Sequence, residues 1–157
     1  MPEPPVVQAA IALGSNLGDR RHNLQSAIES IAALGRIVAV SEFLDTAPVG
    51  FLDQPRFLNA VLLLETSLQP LELLRSLLAI ERSMGRDRAN VPAKGPRVID
   101  LDLILYSDQI LATPELTLPH PAMHERRFVL EPLAEIAPNW RHPVFGLTVA
   151  ELLAELE

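Results

Sequence analysis

The sequence predicts an α+β fold of the ferredoxin-like type, in which two helices cover one face of an antiparallel sheet and a C-terminal extension follows. Two observations predict it: four apolar segments have the character of strands, and two segments with helical spacing separate them in the order β-α-β-β-α-β. The chain has 157 residues, of which 48% are hydrophobic and 21% charged. That size and composition predict one domain spanning residues 1–157, with a substantial core.

The first half of the pattern runs to residue 43. Residues 6–13 are apolar enough for a strand buried on both faces, and turn-forming residues follow at 14–19. A helix comes next, because four apolar residues recur at helical spacing: Leu24, Ile28, Ile31 and Leu34. Gly35 then stands where a helix C-cap belongs, and residues 36–43 form the second strand.

The second half of the pattern contains two long loops. Residues 44–56 and 86–96 are rich in proline and glycine and have no periodicity, which is typical of functional loops. Between them, residues 57–66 form the third strand and a helix begins at Pro70 and continues until Gly85. Residues 97–106 form the fourth strand.

The last third of the chain is less regular. A short strand is expected around residues 109–112, after a turn at Ser107 and Asp108. Residues 122–137 have a helical pattern that Pro132 interrupts, and residues 148–157 close the chain as a short amphipathic helix.

Composition excludes several function classes. With 13 basic and 20 acidic residues the net charge is −7, which argues against a general nucleic-acid binder. The absence of cysteine excludes disulfides, thiolate zinc sites and a cysteine nucleophile. No segment is apolar enough to cross a membrane and no signal peptide is recognised, so we expect a cytoplasmic protein, with a monomer as the default.

Basic residues concentrate in one segment of this acidic chain. Between residues 82 and 97 the sequence has one acid, Asp87, and five basic residues: Arg82, Arg86, Arg88, Lys94 and Arg97. The segment is either a site for a small polyanion or a solvated loop without a partner. Charge alone favours neither interpretation.

The fourth strand carries the most specific local pattern. Alternation places Ile99, Leu101, Leu103 and Leu105 on one face, under the helices, and Asp100 and Asp102 on the other, about 7 Å apart. Two carboxylates at this spacing suit a hard divalent cation that also binds phosphate oxygens. The alternative is a solvent-facing strand with two acids on its wet side. The arginines just before the strand favour the metal interpretation.

Two weaker patterns concern small-molecule contacts. Phe57 and Asn59 share a face of the third strand beside the loop at residues 46–50, where a ring and an amide suit a flat heterocycle; taken alone, Phe57 is better interpreted as core. His120 is interpreted as a phosphate or ribose contact and His124 as a surface residue, because Pro121 between them argues against a helical metal site. Residues 14–18 are more typical of a tight turn than of a phosphate loop.

Five motifs together resemble one known family. They are A-L-G-S-N-L-G-D at residues 12–19, D-Q-P-R-F-L-N-A-V at 53–61, G-R-D-R at 85–88, G-P-R-V-I-D-L-D-L-I-L-Y at 95–106 and L-P-H-P-x-M-x-x-R-x-F at 118–128. In order and spacing they resemble 6-hydroxymethyl-7,8-dihydropterin pyrophosphokinase of folate biosynthesis, over about residues 6–138. The resemblance implies an enzyme that transfers pyrophosphate from ATP to the pterin hydroxymethyl group and releases AMP.

The resemblance also implies roles for particular residues. Asp100 and Asp102 would bind two Mg²⁺ ions, and Arg86 and Arg97 would neutralise charge during the transfer. The residues implied for ATP are Arg88, Leu103, Thr117, His120 and Arg126. Those implied for the pterin are Thr46, Ala47, Val49, Phe57, Asn59 and Phe128.

The sequence departs from the family pattern at two positions. Lys94 stands where the family often has a tryptophan, and Pro121 stands where it often has a tyrosine. Glu81 falls at a family position near the active site without an assigned role.

Two other function classes are weighed against this enzyme. One is a ferredoxin-like module that binds nucleotide without chemistry, which would leave the paired aspartates unexplained. The other is a metal-dependent phosphohydrolase or nuclease using Asp100 and Asp102, for which the net charge of −7 disfavours nucleic acid as the substrate.

Overall fold

A computed structural model of the chain describes residues 5–47, 55–85 and 98–156. Its elements, in chain order, are β1 (Val7–Ser15), α1 (Arg20–Ile31), β2 (Arg36–Val40), β3 (Leu44–Thr46), β4 (Phe57–Thr66), α2 (Pro70–Ser83), β5 (Asp100–Tyr106), β6 (Leu111–Ala112), β7 (Thr117–Leu118), α3 (Arg127–Ile136) and α4 (Val149–Glu155). None of the helices in these ranges is long and apolar enough to cross a membrane.

The main sheet has the strand order β2-β4-β1-β5, and every neighbouring pair is antiparallel. The two longest strands, β1 and β4, pair from Val7 opposite Thr66 to Ser15 opposite Leu58. This strand order, with a helix after β1 and another after β4, confirms the predicted α+β ferredoxin-like fold.

Helices α1 and α2 cover one face of the sheet. Their side chains Leu24, Leu73 and Leu77 pack with Ile11 and Leu13 of β1 in one apolar cluster. These side chains are almost fully excluded from solvent, so this face supplies the larger part of the core.

The C-terminal extension covers the opposite face. Leu130 and Leu133 of α3 and Leu152 of α4 pack with Val61 and Leu63 of β4 in a second cluster. Because apolar cover lies on both faces, β4 reads as a nearly unbroken apolar run rather than as an alternating strand. The extension therefore completes the core and forms one wall of the space above this face.

A β-bulge corrects the predicted apolar row on β5. Ile11 pairs with Leu103 and Ala10 with Leu105, so Ile104 is an extra residue on β5. The prediction that Leu105 shares a face with Leu101 and Leu103 is wrong, because after the bulge Leu105 packs on the α3 side. The bulge also leaves the Ile104 carbonyl to accept a hydrogen bond from the His120 backbone N–H, at 2.9 Å.

Two other local predictions need correction, and a third is confirmed. Residues 44–46 form strand β3 along β4, not part of a loop. Pro132 is buried inside α3 without interrupting it, and the helical segment is interrupted earlier, where a 3-10 turn at Met123–Glu125 precedes α3. The prediction that Gly35 is a helix C-cap is confirmed, since it caps the 3-10 turn that follows α1. Its backbone is extended, and glycine is required there because a Cβ would lie 2.1 Å from the Glu65 carbonyl oxygen.

Candidate active site

A pocket lies between the α3 face of the sheet and the N-terminal end of α3. Eight residues that the sequence singles out line it: Thr46, Ala47, Phe57, Asn59, Asp100, Asp102, Arg126 and Phe128. They come from β3, β4, β5 and the start of α3, segments that are distant in sequence. The fold therefore brings the acidic pair and the aromatic pair to one concave site.

The two aspartates lie on the pocket face of β5. Asp100 is opposite Gly14 and Asp102 is opposite Ala12 on the neighbouring strand β1. Both carboxyl-bearing residues are half-buried, and the small residues opposite them leave space above the sheet. Carboxylate oxygens in this arrangement are donors for a hard cation that takes its remaining ligands from water or phosphate.

Glu81 of α2 holds β5 from the other side of the sheet. It is 1% exposed, and its Oε2 accepts a hydrogen bond from the Leu101 backbone N–H at 2.7 Å. Leu101 lies between the two aspartates, so this bond fixes the stretch of backbone that carries them. The sequence leaves the role of Glu81 open, and its only signals are the family position and a carboxylate in the last turn of a predicted helix.

Asn59 presents its amide beside the acidic pair. Its Nδ2 donates to Thr46 Oγ1 at 2.5 Å, and its Oδ1 would lie 2.8 Å from a Cβ placed on Gly14. Gly14 is therefore needed for close approach of the amide. Sequence reasoning interpreted Gly14 only as a turn former, because pairing with the Asn59 position is not visible in the sequence.

Two aromatic rings come from opposite walls of the pocket. Phe57 begins β4 in the sheet, and Phe128 lies in the first turn of α3. Both are half-buried, and the Arg126 guanidinium lies 5.7 Å from the centre of the Phe128 ring. A planar ligand that enters between the walls meets an aromatic ring from each side and a cation at the edge.

His120 is an uncharged hydrogen-bond donor at neutral pH. Burial lowers the pKa of its imidazole to about 4, the Arg126 cation acts in the same direction and the Asp100 carboxylate opposes both. Its Nδ1 accepts from the Ala122 backbone N–H at 3.1 Å, so the neutral ring has its proton on Nε2. This state suits donation to a phosphate or ribose oxygen.

His120 is not part of this pocket's lining, and neither are several other predicted residues. Leu103 is 3% exposed and packs in the α1–α2 cluster, so its side chain is on the opposite face of the sheet; its contact with adenine stays a prediction. Thr117 is exposed on β7 and is not part of the pocket lining. Four predicted site residues lie outside the described residues: Val49, Arg86, Arg88 and Arg97.

The remaining sequence patterns have structural explanations. In the turn after β1, Asn23 Nδ2 donates to the Leu17 carbonyl at 2.9 Å and to Ser15 Oγ at 3.2 Å, as in a tight turn. His124 is half-buried against Phe145, with ring centres 4.9 Å apart. Within residues 5–47, 55–85 and 98–156, no three His, Cys, Asp or Glu side chains are grouped to hold a metal.

Comparison with known proteins identifies what this chain is similar to. The family model described as 7,8-dihydro-6-hydroxymethylpterin-pyrophosphokinase (HPPK) matches residues 10–138. A 2-amino-4-hydroxy-6-hydroxymethyldihydropteridine pyrophosphokinase from Pseudomonas aeruginosa is 47% identical over 146 residues, which cover 92% of this chain and 88% of that protein.

Longer proteins contain a similar region. The folic acid synthesis protein fol1 of Pneumocystis carinii is 42% identical over 93% of this chain, but the match spans only 20% of that protein. The crystal structure of Plasmodium falciparum wild-type HPPK-DHPS with pteroate superposes with a TM-score of 0.77, over 99% of this chain and 43% of that one. At 16% identity this structure supports the fold alone.

Proposed function

This chain belongs to the HPPK family, and we propose that the pocket between the sheet and α3 is where it transfers pyrophosphate from ATP to 6-hydroxymethyl-7,8-dihydropterin. The reaction gives AMP and the pterin diphosphate, a step of folate biosynthesis. The family match and the 47% identical pyrophosphokinase support the reaction. The pocket geometry supports its location.

The observation that carries this location is the juxtaposition of two unlike chemistries. Asp100 and Asp102 line the same pocket as Phe57, Asn59 and Phe128. The carboxylates suit a metal-bound polyphosphate, whereas the rings and the amide suit a flat, hydrogen-bonding heterocycle. A binding module for nucleotide alone does not require the second set, and neither does a phosphohydrolase.

We propose Mg²⁺ as the metal of this site. The donor set fits it, because Mg²⁺ is usually bound by one or two carboxylates together with water and substrate phosphates. Asp100 and Asp102 would hold two such ions. When bound, Mg²⁺ neutralises phosphate charge and holds the polyphosphate in place for displacement.

The reaction is an in-line displacement at phosphorus. The hydroxymethyl oxygen of the pterin forms a bond to the β-phosphorus of ATP, and the bond from that phosphorus to the α,β-bridging oxygen breaks. The bridging oxygen leaves as part of AMP, and the hydroxyl proton is lost to the surroundings. The principal task of the protein is to hold the two substrates in line and to stabilise charge.

The described residues divide this task. Phe57 and Phe128 would enclose the pterin ring, and Asn59, fixed by Thr46, would hydrogen-bond its edge. Ala47 would complete this pterin-binding wall. These residues set the pterin hydroxyl above the face that carries the aspartates.

The cationic and neutral donors act on the nucleotide side. Arg126 would neutralise phosphate charge, and His120 would donate from Nε2 without adding charge. By their positions in the family motifs, Arg86 and Arg97 would stabilise the transferring group and Arg88 would hold ATP. Because His120 is uncharged, the positive charge on the nucleotide side comes from the arginines.

We propose that the enzyme acts as a monomer in the cytoplasm, on small molecules rather than nucleic acid. The net charge of −7 supports small-molecule substrates, since nucleic-acid binders present a basic surface. A chain without cysteine has no disulfide that would require an oxidising compartment.

Product analysis tests the function directly. The protein is mixed with Mg-ATP, with and without 6-hydroxymethyl-7,8-dihydropterin, and nucleotides are separated and quantified. We expect AMP only when the pterin is present, and loss of AMP formation in Asp100→Asn and Asp102→Asn. Asp108→Asn is the matched control, because Asp108 is an exposed aspartate near the far end of β5 and outside the pocket.

Two outcomes would contradict the proposal. ADP and phosphate released without pterin would indicate a hydrolase. ATP binding without turnover, in the presence of the pterin, would indicate a binding module.

A further inference from the structure

A cluster of three charged side chains joins the segments on either side of the pterin-binding wall. Asp45, in the middle of β3, accepts from Arg56 Nε at 2.7 Å through Oδ1 and from Arg20 Nη2 at 3.1 Å through Oδ2. Arg20 is the first residue of α1, and Arg56 directly precedes β4. The hydrogen bond from Arg56, and then that from Arg20, hold the pKa of the Asp45 carboxyl below its usual value.

The same side chains also bind main-chain oxygens. Arg56 Nη2 donates to the Asp45 carbonyl at 3.2 Å, and Arg20 Nη1 donates to the Arg56 carbonyl at 3.0 Å. Asn16, which is 1% exposed, donates to the Pro55 carbonyl at 3.1 Å. Side chains therefore fix the backbone of both segments, beyond the ladder that joins β3 to β4.

Strand alternation puts this cluster behind the pocket. Asp45 pairs with Leu58, whose side chain belongs to the α1–α2 core, whereas Thr46 pairs with Phe57. Since successive side chains point to opposite faces, Asp45 and Arg56 lie on the α1 side, and Thr46 and Phe57 lie on the pocket side. The cluster thus acts on residues adjacent to the ligand-facing ones without lining the pocket itself.

The ladder between β3 and β4 is too short to fix this wall firmly. β3 has three residues and lies off the main strand order, paired with β4 alone. Short strands at an edge are only weakly held by main-chain pairing. The position of Thr46, and through its 2.5 Å bond that of the Asn59 amide, depends on further anchors.

We propose that Arg20, Asp45 and Arg56 form a positioning cluster that sets the pterin-binding wall from behind, and so determines affinity for the pterin but not for ATP. This inference rests on the proposed function of the pocket. The carboxylate of Asp45 is the centre of the cluster, because both arginines bind it. Weakening the cluster lets β3 move relative to β4, which misplaces Thr46 and, through its hydrogen bond, the Asn59 amide, while leaving Asp100 and Asp102 in place.

Steady-state kinetics of Asp45→Asn and Arg56→Gln test the proposal. We expect KM for the pterin to rise about three- to fivefold, the size of effect that exposed ion pairs have, while KM for ATP and kcat stay within the error of the parent values. The KM for the pterin in the double variant should be no higher than in the more strongly affected single variant, because both substitutions break the same cluster. Asp45→Glu, which keeps the carboxylate, should recover most of the pterin affinity.

Arg75→Gln is the matched control. Arg75 and Glu115 form an exposed ion pair at 3.2 Å, comparable to those of the cluster but away from the pocket. A general effect of losing a surface ion pair would appear in this variant as well. We expect its pterin KM to equal that of the parent.

A readout without substrate separates this proposal from the proposed function. Amide hydrogen exchange of a peptide covering residues 42–47 should speed up in Asp45→Asn and not in Arg75→Gln. If exchange speeds up in Asp45→Asn while the parent forms no AMP from the pterin, the proposed function is refuted and the cluster remains an anchor of β3. Unchanged exchange, or an equal rise in the KM values for ATP and pterin, would overturn the positioning role.

Discussion

Gly14→Ala is expected to damage pterin binding through the Asn59 amide. A Cβ at residue 14 would lie 2.8 Å from Asn59 Oδ1 and 3.6 Å from Phe57 Cδ1. The first distance is shorter than side-chain atoms tolerate, whereas the second is an ordinary contact. Residue 14 lies in a regular strand without a positive φ, so alanine adds no backbone strain and the amide has to move.

The size of the effect follows from the hydrogen bond that the amide loses. Turning Asn59 away from Gly14 breaks its 2.5 Å bond to Thr46 or withdraws Oδ1 from the pocket. One neutral hydrogen bond contributes about 0.5–1.5 kcal/mol, which corresponds to a rise of about two- to tenfold in KM for the pterin. KM for ATP should stay unchanged, because the aspartates on the neighbouring strand keep their positions.

A double-mutant cycle with Asn59→Ala measures this coupling. If the added methyl acts only through the amide, Gly14→Ala has no further effect on pterin KM once Asn59 is alanine. Initial rates of AMP formation over a range of pterin concentrations give the pterin KM of the parent, the two single variants and the double variant. A pterin KM that Gly14→Ala leaves unchanged, or the same fold-change with and without Asn59, would refute the reasoning.

Two further perturbations concern His120 and Glu81. Because the folded pKa of His120 is about 4, the unfolded chain binds a proton below pH 6.5 that the folded chain does not, so the free energy of unfolding falls as the pH drops from about 6.5 to about 4. Denaturant unfolding without divalent cations should show that the free energy of unfolding falls less steeply with pH in His120→Gln than in the parent. An unaltered slope in His120→Gln would contradict the assignment. Glu81→Ala removes the acceptor of the Leu101 N–H, costing about 1–3 kcal/mol of unfolding free energy, and should raise the Mg²⁺ concentration needed for half-maximal AMP formation. In Glu81→Gln the amide oxygen accepts the same bond, so this variant should retain most of the unfolding free energy and a nearly unchanged Mg²⁺ requirement. An unchanged Mg²⁺ requirement in Glu81→Ala would count against the role of Glu81 behind the aspartates.

Much of the fold is predictable because its main strands and helices have clear patterns. The strand at 57–66 and the helix that begins at Pro70 agree with β4 and α2. The sequence does not predict β3, because three residues near prolines and a glycine give no periodicity and the pairing with β4 is a tertiary property. The bulge at Ile104 was missed for a related reason, since alternation continues in the sequence while the register shifts in the sheet.

The site is predictable to the extent that alternation within one strand reveals it. A two-residue period places Asp100 and Asp102 on one face of β5, and it does the same for Phe57 and Asn59 on β4. In the folded sheet both pairs lie on the same face and line one pocket. Alternation within a strand does not predict which residues of neighbouring strands come into contact. The fit of Gly14 under the Asn59 amide therefore requires the three-dimensional structure.

Support from behind the sheet is equally hidden in the sequence. Glu81 reaches Leu101 across 20 positions, and Arg20 reaches Asp45 across 25. A charged residue on a helix usually faces solvent, and although Glu81 falls at a family position, neither residue has a local pattern that predicts its hydrogen-bond partner. Their roles follow only from the hydrogen bonds that the fold brings within reach.

A crystal structure of the protein with Mg²⁺, an unreactive ATP analogue and 6-hydroxymethyl-7,8-dihydropterin tests the central claim most directly. We predict that the pterin ring lies between Phe57 and Phe128 with its edge on Asn59, and that the metal binds Asp100 and Asp102 beside the analogue's phosphates. A pterin bound outside this pocket, or a metal that contacts neither aspartate, would contradict the account.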